Sequence, residues 1–425
     1  MDDAPDPPGE GPTPGWPEAV FFVAVVLLSQ LALLVAVLRL TGGREFTSDA
    51  PMLMGLARHP LEVLGGTTAT YGQHPPLLGV LIAAFAVPAS WAMSDMAALR
   101  LALVLWSAIG SAFAWAGLRA LLPPDRRRWA LVAVVVLPTG WYTPVIASQD
   151  EVIAAAFVVA VLWLVATKRW RAALVLCGVG MAAGKIFLAA PLLVLVAFVP
   201  WGTMLRRALV GGVAPVVAYG WVTVAALARG QHPPLLTFDP SPTFGVNGWT
   251  LAVFHTDVVG LQTARRVSEL LVLTAVAGLL VVAGRRRLDP SPARLWALVT
   301  ASLLWTWVTF YHVDPEYFAL TNVALVGLAM VTGRAERVVA VVLAVVPWVT
   351  RIFYEADIPS GRVGEKARIT HIVDQVAPGS VHAWYLVSLW TCTLATVVAA
   401  VMFTRLSLRP TAVASEDANR PGTVP

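Results

Sequence analysis

Residues 148–191 read SQDEVIAAAFVVAVLWLVATKRWRAALVLCGVGMAAGKIFLAAP. The acidic pair Asp150-Glu151 opens an apolar run over 151–167, and the basic cluster Lys168-Arg169-Arg171 closes it. A second run over 172–184 leads to Lys185, and a third covers 186–200. Such runs are helices that cross a bilayer or lie wholly inside a bundle. A hydrocarbon core of roughly 30 Å takes about 20 apolar residues per helix. Short charged clusters between the runs mark a chain that turns at one membrane surface after another.

The pattern continues in both directions. Further apolar runs lie near 20–40, 97–122, 129–148, 208–228, 266–284, 295–311, 317–333, 337–353 and 382–404. The other basic clusters are Arg126-Arg127-Arg128, Arg206-Arg207, Arg285-Arg286-Arg287, Arg334 with Arg337, and Arg405 with Arg409. If 172–184 and 186–200 form a short helical hairpin, each cluster is two spans from the next. All six can then face the cytoplasm. The composition agrees: 425 residues are 58% hydrophobic and 13% charged, with mean hydropathy +0.73. Soluble domains run near ~45–50% apolar and ~25% charged, so a soluble globular protein is excluded, as are disorder and a collagen-like fibre. The net charge of +5 does not imply nucleic acid, because the basic residues sit in short clusters between apolar runs. Cys177 and Cys392 both fall in apolar runs, which argues against a disulfide framework. The expected fold is all-α, a polytopic transmembrane helical bundle of about 12 spans.

Residues 1–17 hold Pro, Gly, Asp and Glu without Lys or Arg. They are expected to be a disordered cytoplasmic tail without the positive region of a cleaved signal peptide. The membrane domain is expected over 18–405, and a second disordered cytoplasmic tail over 406–425. One run breaks the alternation. Residues 76–92, PLLGVLIAAFAVPASWA, are short, hold Pro88 and follow Pro75-Pro76. Read as an interfacial or re-entrant helix, this run keeps both termini inside. The polar stretches 42–96, 148–151, 231–265 and 355–382, with the 311–316 loop, then fall on the outer face. They carry all seven histidines, so function is expected on that side.

Several residues there suit chemistry. Asp49 follows the first span and precedes a short amphipathic segment over 52–64. A carboxylate at a membrane rim can take a proton from an attacking hydroxyl; it can equally be a solvated loop residue or a helix N-cap. Asp150 and Glu151 can bind sugar hydroxyls or a divalent ion, or simply favour a helix N-terminus. Lys185 is the lone charge in 172–200. A buried ammonium needs a counter-charge, which a lipid-linked phosphate, Asp150 or Glu151 would supply; snorkelling to the interface is the alternative. His312, Asp314 and Glu316 share one short loop before Tyr317, where two or three ligands or an ordinary solvated loop fit the spacing. His74 begins the 76–92 segment, and Arg351 stands at the outer end of a late span as a possible phosphate partner. Nucleotide-binding, HExxH and GxSxG patterns do not stand out.

The layout resembles the GT-C superfamily of polytopic glycosyltransferases, in particular polyprenyl-phosphate-mannose-dependent mannosyltransferases. The likeness covers most of the membrane core. It rests on the lone acid Asp49 past the first span, on interfacial segments over 52–64 and 76–92 with Tyr71 to Leu78, and on the later pair Asp150-Glu151. It also rests on Gly184 to Pro191, which is similar to the family's Lys-hydrophobic-aromatic-Pro segment, and on Glu316 to Leu320 at the start of a late span. Two departures stand out: the first-loop acid has no acidic partner, which leaves metal dependence open, and there is no large C-terminal soluble domain. The resemblance implies an inverting transfer from a polyprenyl-phosphate sugar at the outer face of the cell membrane. The acceptor would be lipid-linked or a cell-envelope glycan. Asp49 would be the general base, and Lys185 with Arg351 would hold the leaving phosphate. Asp150, Glu151 and His312 would line the cavity, with His74 and Glu316 at its edge. Mannose is the first sugar implied, with arabinofuranose and glucose behind it. The abundance of Ala, Val, Arg and Trp is like that of proteins from GC-rich actinobacteria. The competing reading is a transporter or lipid-linked-sugar flippase, which would show internal repeats and polar groups at the midplane.

Overall fold

The structure, a computed structural model, describes residues 16–41, 50–65, 74–136, 145, 150–231, 261–286, 291–310, 313, 315–357 and 381–408. Among them are fifteen α-helices and no strand. In chain order they are α1 (Trp16–Thr41), α2 (Ala50–Arg58), α3 (Pro60–Leu64), α4 (Leu78–Ser90), α5 (Asp95–Leu121) and α6 (Pro124–Val136). Then come α7 (Glu151–Ala166), α8 (Trp170–Ala183), α9 (Ala189–Phe198), α10 (Met204–Ala228) and α11 (Leu261–Arg285). The last four are α12 (Pro292–Thr309), α13 (Ala319–Val331), α14 (Arg334–Asp357) and α15 (Val381–Leu408). The chain marks its own boundaries. Ser94 caps α5 by accepting from the Ala97 amide, and Thr203 caps α10 by accepting from Arg206. Pro60 and Pro292 sit in first turns, where their missing N–H costs nothing.

Among the described residues, five stretches are long and apolar enough to cross a membrane: Pro17–Arg39, Asp95–Leu121, Met204–Ala228, Arg266–Arg285 and Ala383–Leu408. Shorter apolar helices accompany them. Glu151–Ala166, Trp170–Ala183 and Ile186–Phe198 are apolar but only 10–17 residues long. Two of these three are largely sheltered by protein, with twelve α7 residues and six α9 residues buried. A helix so enclosed is not matched to bilayer thickness by direct contact with lipid. The 76–92 run forms the 13-residue α4, about 20 Å long at 1.5 Å per residue and short of a crossing. Its buried face, Leu78, Ile82 and Ala86, packs with Leu53 and Leu56 of α2 and Leu99 and Leu103 of α5 in a small separate core. These are the interfacial helices expected in the first loop.

The main core is organised by α12, whose Trp296 and Trp307 are fully buried. Trp296 donates its indole N–H to the Leu162 carbonyl of α7 at 2.7 Å. A buried indole that finds a partner adds apolar area without leaving an orphan donor. Close approach of α8 to α10 requires glycine. A Cβ on Gly178 would lie 1.9 Å from the Gly211 carbonyl oxygen, the small-residue contact by which membrane helices pack without hydrophobic drive.

Alternating chain direction separates two ends of the bundle. Asp150 opens α7 and Lys168 follows its last turn, about 24 Å away along a 16-residue helix. The chain then returns through α8 to Lys185. Arg126 donates to the Met330 carbonyl at the end of α13 at 3.0 Å. Arg207 donates to the Ala197 and Val199 carbonyls at the end of α9 at 3.1 and 2.7 Å. These bonds place basic clusters against helix C-termini, where exposed carbonyls favour cations.

Candidate functional site

At the other end, four segments distant in sequence meet. Asp150 is the N-cap residue of α7 but makes no side-chain cap hydrogen bond; its carboxylate serves a different partner. Lys185 Nζ lies 3.2 Å from Asp150 Oδ1 and 2.9 Å from Glu151 Oε1. His74 Nδ1 is 3.5 Å from Asp150 Oδ2. Side-chain exposure is 1% for Asp150, 4% for Glu151, 9% for His74 and 15% for Lys185. Of the two supplies of counter-charge open to Lys185, the protein's own carboxylates are in place.

Local sequence explains how Lys185 gets there. α8 ends at Gly184, where a Cβ would meet the Ala154 Cα and the Gly180 carbonyl oxygen, each at 2.9 Å. Only glycine lets the chain turn so close to α7. The Gly184 and Lys185 amides both donate to the Gly180 carbonyl. A short 3-10 turn, Ile186–Leu188, then leads into α9. Cys177 donates its thiol to the Leu188 carbonyl, holding that turn to α8. The expected hairpin of 172–184 and 186–200 is thus α8 and α9, broken by a lysine-bearing turn. His74 reaches Asp150 because the Leu77 amide donates to the Ala182 carbonyl at 3.0 Å, tying the first-loop helices to the end of α8.

Glu316 sits in a second 3-10 turn, Pro315–Phe318, and is buried. It is near enough for its charge to bear on Glu151. The next residue, Tyr317, presents its ring to Lys185 Nζ at 5.9 Å from the centroid. Phe187 meets Trp307, Phe310 and Tyr317, each with centroids 5.0 Å apart. An aromatic wall therefore stands beside the buried ions. Tyr219 of α10 donates to the Met181 carbonyl in the last turn of α8.

The structure thus brings together His74, Asp150, Glu151, Lys185 and Glu316. Arg351 is partly buried on α14, six residues before that helix ends. Asp49 and His312 lie outside the described residues; α2 begins one residue after Asp49. Sequence reasoning gave no role to the aromatic wall, nor to Arg100, which is fully buried on α5. The signal for Arg100 was of the kind that singled out Lys185, a charge inside an apolar run. Among the described residues no group of three or more His, Cys, Asp and Glu side chains is arranged to hold a metal ion. Asp150 and Glu151, the ligands first considered, are engaged by Lys185 instead, which fits a divalent ion poorly.

No protein-family model matches the chain, and no curated protein does. Its fold is similar to the solved structure of ArnT from Cupriavidus metallidurans bound to undecaprenyl phosphate. The TM-score is 0.50 at 15% identity, over 92% of this chain and 77% of that one. At that identity the likeness is one of fold, that of an all-helical membrane bundle.

Proposed function

We propose that the protein is a GT-C membrane glycosyltransferase that moves a sugar, mannose first, from a polyprenyl-phosphate donor to a lipid-linked or envelope-glycan acceptor. The carrying observation is the buried Asp150–Glu151–Lys185 cluster at one end of the bundle. Glu151 Oε2 is buried and makes no hydrogen bond among the described residues, and Asp150 Oδ2 has only the 3.5 Å contact with His74 Nδ1. Buried carboxylate oxygens demand donors, and sugar hydroxyls supply them. An ammonium has three donors. Two of those of Lys185 face carboxylates; the third is assigned to the donor phosphate, with Arg351 as a second cation. In this reading an acceptor hydroxyl attacks the anomeric carbon while Asp49 takes its proton. The bond from that carbon to the phosphate oxygen breaks, and polyprenyl phosphate leaves from the opposite face, so configuration inverts. His74, Glu316 and His312 border the sugar, and the ring of Tyr317 offers it an apolar face. No step is assigned to a divalent metal.

The broken hairpin at Gly184–Leu188 is a feature that transporters also use. The position of the ions at a bundle end, and not at its midplane, supports transfer over transport. Purified protein given polyprenyl-phosphate mannose, glucose or arabinofuranose with lipid-glycan acceptors tests the reading. Turnover with mannose ahead of the others is expected; no transfer from any of them would overturn it. Sidedness is tested by reporters: one fused after Arg171 should read cytoplasmic, and one within 231–265 should read outside.

A further inference from the structure

At the basic end, α6, the last turn of α13 and the first turns of α14 enclose a groove of about 450 Å³. Trp129, Val132, Val136 and Val341 form its wall, with Arg126 and Arg337 also lining it. The four apolar side chains are exposed, as lipid-facing residues are. The two arginines are not explained that way. Arg126 is held in place by its bond to the Met330 carbonyl, and Met330 lines the same groove. A guanidinium carries five donors in a planar fork, a geometry that matches a phosphate. The local charge points the same way. Arg126, Arg127, Arg128, Arg334 and Arg337 stand against only Asp125 and Glu336 in these two segments.

We propose that this groove seats one anionic phospholipid of the surrounding leaflet, its phosphate between Arg126 and Arg337 and an acyl chain along the wall from Trp129 to Val136. Basic pockets between membrane helices hold anionic headgroups in this way. In the α7–α8 turn, by contrast, Arg169 lies over the Trp163 ring at 5.5 Å. The site is separate from the buried cluster at the far end and does not rest on the glycosyl-transfer reading.

Native mass spectrometry of the full-length protein, titrated with phosphatidylglycerol or phosphatidylcholine of matched chains, tests it. One phosphatidylglycerol should bind in preference to phosphatidylcholine. Arg337→Gln, which leaves the Arg126–Met330 bond intact, should weaken that binding about fivefold. Arg126→Gln with Arg337→Gln should weaken it about 25-fold, and phosphatidylcholine should be unaffected. Arg206→Gln with Arg207→Gln, another basic pair at a helix terminus, should leave the preference intact. Equal affinity for the two lipids, an unchanged preference in Arg337→Gln, or an equal loss in the Arg206/Arg207 variant would overturn the assignment. So would polyprenyl phosphate displacing phosphatidylglycerol from this groove.

Discussion

The two ends of the bundle handle charge in opposite ways. At the basic end, arginines stay near the surface and satisfy themselves cheaply. Arg207 binds helix-terminal carbonyls, and Arg206 lies over the Trp201 ring at 4.9 Å. At the acidic end, Asp150, Glu151 and Lys185 are drawn inside and neutralise one another. Taking ions out of water costs several kcal/mol each, and their attraction offsets this only with good geometry. A membrane protein needs the first arrangement to set its orientation. It does not need the second for folding, because apolar residues of similar volume are often as stable. Buried ions at one end therefore point to a site there.

The largest expected effect separates chemistry from structure at Asp49, the proposed base. Asp49→Asn keeps size and capping ability but cannot accept a proton. Turnover should fall about 10²–10⁴-fold, the usual worth of a general base, with donor affinity retained. If Asp49 is only a cap, Asn serves equally well and turnover should stay near wild type.

A smaller effect, on stability, tests whether the ions depend on one another. Lys185→Ala leaves two buried carboxylates side by side without a counter-ion. Unfolding measured in detergent should show a loss of about 3–5 kcal/mol. Adding Asp150→Asn and Glu151→Gln should recover much of that loss without restoring activity. A Lys185→Ala protein as stable as wild type would mean that the cluster is not a unit.

The smallest effect is expected at the opposite end. Arg207→Gln removes an arginine from the carbonyls that close α9, a contact near a surface. It should cost about 1 kcal/mol and leave turnover unchanged. A loss as large as that for Lys185 would erase the distinction between the ends.

What the sequence revealed follows from how far each signal reaches. Helices and their alternation rest on local composition, so the runs and the basic clusters between them were legible, and so was the shortness of α4, announced by Pro75-Pro76 and Pro88. The need of Lys185 for a counter-charge was also legible. The choice of Asp150 and Glu151 was not, because it depends on how α8 turns against α7, which is decided by Gly184 meeting Ala154. The shortening of α9 arises at the same turn, since Ile186–Leu188 belongs to a 3-10 segment in place of a continuous span. The aromatic wall was unreadable for a related reason: Phe187, Trp307 and Tyr317 come from three separate elements, and no spacing in the chain relates them.

The central claim is that a polyprenyl-phosphate sugar is seated at the acidic end. A photoactivatable polyprenyl-phosphate mannose, with its reactive group on the first isoprene unit, tests this on the unaltered protein. After irradiation and digestion, labelled peptides should come from 74–78, 182–188 and 315–318, and unlabelled mannose donor should suppress them. Labelling confined to the basic end, around 124–136 and 330–341, would contradict the claim.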